Sequence, residues 1–145
     1  MTTYYIDMKK KLTLDGVKVL LVEDDDFLSG ILRSTLADFG AQLYVAADAK
    51  SAIGTAEMEL PDVIMTDLML SGMSGEEFIT YMKQSDSLKH IPIIVFTNKG
   101  SEGDKKENLA RGATAYHVKS LTSISDIPDI IHDAIKQGKS KKKAS

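Results

Sequence analysis

The chain has no cysteine among its 145 residues. That excludes a disulfide framework, a thiolate-ligated zinc site and a cysteine nucleophile, and it fits a reducing compartment. No apolar run approaches the roughly 18 residues that a bilayer span requires. The opening Met1-Thr2-Thr3-Tyr4-Tyr5-Ile6-Asp7 lacks the basic-then-apolar layout of a secretory signal, so a cytoplasmic location with no membrane span is expected. A basic excess is also missing: 18 Lys and Arg against 21 Asp and Glu give a net charge of −3. That argues against direct, non-specific nucleic-acid binding. What is present is 43% hydrophobic and 27% charged residues, the composition of a globular chain. The length suits one domain with a real core.

Residues 1–16 read as an N-terminal extension, with the basic run Lys9-Lys10-Lys11 and an extended or turn-like lead-in from Leu12 to Gly16. Val17-Lys18-Val19-Leu20-Leu21-Val22 alternates little, as a strand buried on both faces does. It ends in Glu23-Asp24-Asp25-Asp26. Phe27, Leu28, Ile31, Leu32, Thr35, Leu36 and Phe39 form a helical face, with Gly40 as its C-cap. Leu43-Tyr44-Val45 is a second strand, and Asp48 caps a helix with Ala49, Ala52, Ile53 and Ala56 inward. Pro61 enters a third strand, Val63-Ile64-Met65, which stops at Asp67. Glu76 to Gln84 is a helix burying Phe78, Ile79 and Met82, and Ile91 to Thr97 is a fourth strand. A polar helix from Glu102 to Arg111 turns Leu109 and Ala110 inward and stops at Gly112. Thr114 to Val118 is a fifth strand, ending at Lys119. Ile127, Ile130, Ile131, Ala134 and Ile135 follow a helical period, with Pro128 in the first turn and Gly138 at the end. Residues 139–145 form a basic, disordered tail. Strand–helix alternation of this kind implies an α/β fold: a parallel sheet with helices on both faces. Ligands bind such a sheet outside the carboxyl ends of its strands.

Those ends carry Glu23 and Asp24, Asp67, Thr97 and Lys119, which a parallel sheet brings to one edge. Three carboxylates gathered together repel one another and take up protons unless a cation is near. All-oxygen ligands select a hard ion, magnesium or calcium, and magnesium takes one or two carboxylates plus phosphate oxygens. A carboxylate is also a nucleophile able to form an acyl phosphate. Phosphoryl transfer needs little beyond positioning and charge neutralisation, roles open to a metal ion, the Lys119 ammonium and the Thr97 hydroxyl. The three histidines, His90, His117 and His132, are not spaced to share a metal.

From Val17 to Gln137 the sequence resembles the receiver domain of two-component response regulators, the single-domain chemotaxis-regulator type. The likeness rests on Val19-Leu20-Leu21-Val22-Glu23-Asp24-Asp25, the run from Pro61 to Leu70, the run from Ile91 to Thr97, and the run from Gly112 to Lys119. As a set, in order and spacing, these motifs are highly specific. The resemblance implies a receiver domain over 17–138 with the flavodoxin-like strand order 2-1-3-4-5. It implies that Asp67 accepts a phosphoryl group from a histidine kinase or phosphotransfer protein. It implies Mg2+ held by Asp24, by Glu23 through water, by Asp67 and by the Met69 backbone carbonyl. Thr97 and Lys119 match the residues that bind phosphoryl oxygens, and Tyr116 the aromatic whose rotamer follows Thr97. Output is then expected through a protein partner on the face of the fourth helix, fifth strand and fifth helix. The only catalysis expected is the domain's own phosphoryl transfer and autodephosphorylation.

Three positions depart from the family pattern. Ser120 stands after Lys119, where the family has proline with a cis bond; before a non-proline that bond costs about 3–4 kcal/mol. The loop is therefore trans and reshaped, or strained. Ser71 replaces a common proline, and Asn98 a small residue beside the site, which it narrows together with Met69 and Lys99. Ser120 and Ser71 motivate a second reading, a phosphate-independent interaction module. A third, a phosphate-ester hydrolase, lacks the second aspartate two residues after the nucleophile, since Met69 stands there.

Overall fold

Val19 to Val22, Val63 to Thr66 and Ile93 to Thr97 are buried along their whole lengths, as central strands covered on both faces must be. The computed structural model describes residues 12–144, and expectations for residues 1–11 and for Ser145 lie outside the described residues. The strands are β1 (Lys18–Val22), β2 (Gln42–Ala46), β3 (Val63–Thr66), β4 (Ile93–Thr97) and β5 (Ala115–Val118). They form one parallel sheet in the order β2-β1-β3-β4-β5, the order expected. The helices are α1 (Asp26–Ala37), α2 (Ala49–Glu59), α3 (Gly75–Gln84), α4 (Glu102–Arg111) and α5 (Ile127–Ala144).

Alternate residues of each strand feed two cores. On one face Leu20, Val22, Ile64, Ile93 and Val95 pack with α2 and α3 through Ala52, Ala56, Phe78, Ile79 and Met82. On the other, Val19, Leu21, Val63, Met65, Ile94 and Phe96 pack with α1 and α5 through Leu32, Leu36, Ile127 and Ile131. Each of the Val, Leu, Ile, Met and Phe side chains among these, fully buried, contributes about 1.5–3 kcal/mol. An exposed ion pair such as Lys89–Asp86 contributes about 1 kcal/mol at most, so the two cores hold the fold. Leu14 belongs to the second core, and its N–H donates to Phe39 O at 2.8 Å, so the lead-in packs onto the domain from that residue.

Helix starts follow the expected capping chemistry. Asp25 accepts from the Phe27 and Leu28 N–H groups, Asp48 from Ser51, and Ser74 with Glu77 makes a reciprocal capping box. Four local expectations are corrected. Phe27 is 79% exposed, because the buried stripe of α1 runs through Ser29, Leu32 and Leu36 and leaves it to the side. Gly40 lies beyond the true cap of α1, which is Asp38. On α4, Leu109 and Ala110 face out and Asn108 is buried instead. Asn108 is satisfied there, donating to Asp104 O and accepting from Arg111, each at 2.8 Å. Finally, α5 does not stop at Gly138 but continues to Ala144. Gly138 is there for close approach: a Cβ would stand 3.3 Å from the Pro92 ring. Among the described residues no helix is long and apolar enough to cross a membrane.

Candidate functional site

Sheet register brings the expected groups together. Val22 pairs with Thr66, Thr66 with Val95, and Thr97 with Val118. Glu23, Asp67, Thr97 and Lys119 therefore emerge side by side at the carboxyl edge. The Asp67 N–H donates to Val22 O at 3.2 Å, which fixes the carboxylate next to the end of β1.

The Lys119 ammonium bridges the two buried acids. It lies 2.5 Å from Glu23 Oε1 and 2.7 Å from Asp67 Oδ2. Both are charge-assisted contacts, and the side chains of Glu23 and Asp67 are only 2% and 5% exposed. The other Asp67 oxygen, Oδ1, accepts from the Leu68 and Met69 N–H groups at 2.7 and 3.1 Å. One carboxylate oxygen is thus held by backbone and the other by a cation. Glu23 Oε2 accepts from the Asp25 N–H at 3.3 Å. Thr97 is fully buried, and its Oγ1 accepts from the Lys99 N–H at 3.4 Å. Asp24 is exposed, and its carboxylate joins none of these bonds.

The charges respond accordingly. Burial pushes the Asp67 carboxyl up, but Lys119, the Thr97 hydroxyl and the Met69 N–H together hold it below the ordinary 3.8. For Glu23 burial wins over Lys119, and the carboxyl lies above the ordinary 4.5. Burial disfavours the Lys119 ammonium, yet Asp67 and Glu23 raise it above 10.5. The signs follow by linkage. The stabilisation carried by Asp67 is complete above 3.8 and is lost as pH falls through its lower folded value. That carried by Lys119 is complete below 10.5 and is lost as pH rises through its folded value. Glu23 runs the other way, costing stability as pH rises from 4.5 through its raised value. Carboxyl-detected NMR titration without divalent metal should therefore find Glu23 deprotonating at higher pH than Asp67. The reverse order would contradict this assignment.

Whether a metal fits is a matter of donors. Those present are carboxylate and carbonyl oxygens, the set a hard cation takes. Two of the carboxylates already close on one positive charge, that of Lys119. Among the described residues no three His, Cys, Asp or Glu side chains form a ready cluster.

Two sequence expectations take definite form here. Peptide bonds are trans throughout the described residues, and the chain after β5 folds into a 3₁₀ turn, Lys119–Leu121. With Ser120 the loop is therefore trans and reshaped. The Tyr116 ring is buried in the core and its hydroxyl donates to Lys99 O. Sequence reasoning also missed the ties of the loop after β4. Lys99 pairs with Glu76 at 3.1 Å, and Ser120 N–H donates to Asn98 Oδ1 at 3.2 Å. Asn98 and Lys99 stood out as bulky neighbours of the site, but their partners lie in the turn after β5 and in the first turn of α3, too far off in sequence to leave a pattern.

Comparison with known proteins agrees with this geometry. The family model described as "Response regulator receiver domain" matches residues 19–132. The phosphate regulon transcriptional regulatory protein PhoB of Rhizobium meliloti is 33% identical over 106 residues, 73% of this chain and 47% of that protein. The chain thus spans about half the length of that relative. Chemotaxis response regulator CheY4 of Vibrio cholerae superposes with a TM-score of 0.71 at 30% identity, over 84% of this chain and 98% of that one. The receiver domain of sensor histidine kinase PA1611 from Pseudomonas aeruginosa gives 0.75 at 25% identity, over 83% and 98%, and carries a magnesium ion in its active-site cleft.

Proposed function

Because the chain belongs to the response regulator receiver family, which serves phosphorylation-based signalling in two-component systems, we propose that Asp67 is its phosphoacceptor. The observation that supports this most is the Lys119 ammonium on Asp67 Oδ2 while Oδ1 is held by two backbone N–H groups. A carboxylate oxygen of Asp67 attacks the phosphorus of a phosphohistidine on a histidine kinase or phosphotransfer protein. The P–N bond breaks, the imidazole leaves with its electron pair, and an acyl phosphate remains on Asp67. Lys119 and the Thr97 hydroxyl neutralise and orient the phosphoryl oxygens. Glu23, Asp24, Asp67 and the Met69 carbonyl are the groups that would hold Mg2+. When bound, that ion supplies charge neutralisation at the transferring group. The only chemistry in this reading is the domain's own phosphorylation and dephosphorylation, in the cytoplasm, without nucleic acid.

Output runs to a protein partner through the face of α4, β5 and α5. α4 is suited to move, since Asn108 is its only fully buried residue and Leu109 is 39% exposed. Thr97 and Tyr116 are the switch pair of this reading, the Tyr116 ring being buried with its hydroxyl on Lys99 O. Intact-mass spectrometry after acetyl phosphate and Mg2+ tests the chemistry: one phosphoryl group is gained, and none by Asp67→Asn.

A further inference from the structure

The 3₁₀ turn that follows β5 is closed by bonds of two kinds. Thr122 Oγ1 donates to Val118 O at 2.7 Å, and Thr122 N–H to Lys119 O at 3.3 Å. Both are local to the turn and the strand end it follows. The bond from Ser120 N–H to Asn98 Oδ1 differs, for it crosses to the loop after β4, 22 positions away in sequence. Ser120 directly follows Lys119, so whatever fixes the Ser120 amide also fixes the backbone from which the Lys119 ammonium reaches Asp67.

The loop that carries Asn98 is itself secured. Lys99 N–H donates to Thr97 Oγ1 at 3.4 Å, the Lys99 ammonium pairs with Glu76, and Lys99 O accepts from the Tyr116 hydroxyl. It is therefore a fixed point from which the neighbouring turn can be positioned. Asn98 and Ser120 are both exposed, so their bond competes with water and adds little to global stability. Its consequence is geometric: a displacement of about 1 Å at a reacting centre can cost about 100-fold in rate.

We propose that Asn98 is a positioning residue, its side-chain carbonyl anchoring the Lys119–Ser120 backbone so that the Lys119 ammonium is presented to Asp67 and to the phosphoryl group there. This rests on the reading of Asp67 as phosphoacceptor. The competing role for Asn98 is bulk alone, narrowing entry to the site. The two separate cleanly, because leucine keeps the bulk of asparagine and removes the acceptor, alanine removes both, and aspartate keeps both.

The test compares the full chain with Asn98→Leu, Asn98→Ala and Asn98→Asp. Two measurements need no phosphoryl donor: hydrogen exchange of the Ser120 amide and the nitrogen-15 signal of the Lys119 ammonium. A third is the initial rate of phosphorylation over a range of acetyl phosphate concentrations with Mg2+. Leu and Ala should both speed Ser120 exchange and shift or broaden the Lys119 signal. Both should lower the saturating rate by about tenfold, with KM changed by less than about twofold and thermal midpoints unchanged. Asp should retain Ser120 protection and the Lys119 signal. Wild-type rates in Leu with faster rates in Ala would overturn the proposal in favour of bulk. So would a Lys119 signal that neither Leu nor Ala moves. If the unsubstituted chain takes up no phosphoryl group, the reading of Asp67 fails, while Ser120 exchange and the Lys119 signal still decide the anchor.

Discussion

Lys119→Met will slow phosphorylation by acetyl phosphate by about 10²–10³-fold, the cost of removing one preorganised donor from a developing anionic centre. The same substitution will tighten Mg2+ binding. Both effects have one origin. Lys119 lies on Glu23 and Asp67 at 2.5 and 2.7 Å, so in the free protein it neutralises the carboxylates that a metal also needs. Methionine leaves the two acids facing each other without a cation. Their repulsion adds to burial, and both carboxyls move upward from their present values. A divalent cation then has more to gain by binding, and stabilises the variant more than the original chain. Thermal midpoints measured with and without Mg2+, alongside phosphorylation rates, check the pair of outcomes. A variant that binds Mg2+ no better, yet phosphorylates at the original rate, would show that Lys119 neither competes for the acids nor serves the phosphoryl group.

Gly75→Ala will destabilise the domain by about 1–3 kcal/mol, the usual cost of forcing a methyl into filled space. A Cβ at Gly75 would collide with Asp67 O and stand 2.5 Å from Leu68 Cα. Those are backbone atoms and cannot swing aside. Gly75 N–H also donates to Leu68 O at 2.9 Å, so α3 begins in direct contact with the loop that holds Asp67. Making room displaces Leu68, whose N–H grips Asp67 Oδ1 at 2.7 Å, and phosphorylation should fall with stability. Gly54→Ala is the contrasting case. Gly54 lies exposed within α2, a methyl there would meet nothing within 4 Å, and alanine should add about 0.5–1 kcal/mol. Urea midpoints of the two variants should move in opposite directions.

The sheet and its edge were legible because buried parallel strands announce themselves. Val19 to Val22, Val63 to Met65 and Ile93 to Phe96 are near-continuous apolar runs, each ending at a polar group, and parallel pairing sends those ends to one side. Glu23, Asp67, Thr97 and Lys119 were found by that logic, and they meet. The loops were not legible in the same way. Asn98 with Ser120 and Lys99 with Glu76 join residues 22 and 23 positions apart, with no periodicity to betray them. Periodicity also misled at the ends of helices. Phe27 sits beside the buried stripe rather than on it, and α4 turns the hydrogen-bonded Asn108 inward in place of Leu109. Gly138 read as a stop because glycine often ends helices, whereas here its missing side chain admits Pro92.

Whether Asp67 receives the phosphoryl group is decided most directly by peptide-level mass spectrometry after exposure to acetyl phosphate and Mg2+. Borohydride reduction converts the acyl phosphate into a stable mark. The mark should appear at Asp67, and Asp67→Asn should carry none. A mark at Glu23 or Asp24 instead, or undiminished labelling of Asp67→Asn, would contradict Asp67 as the acceptor.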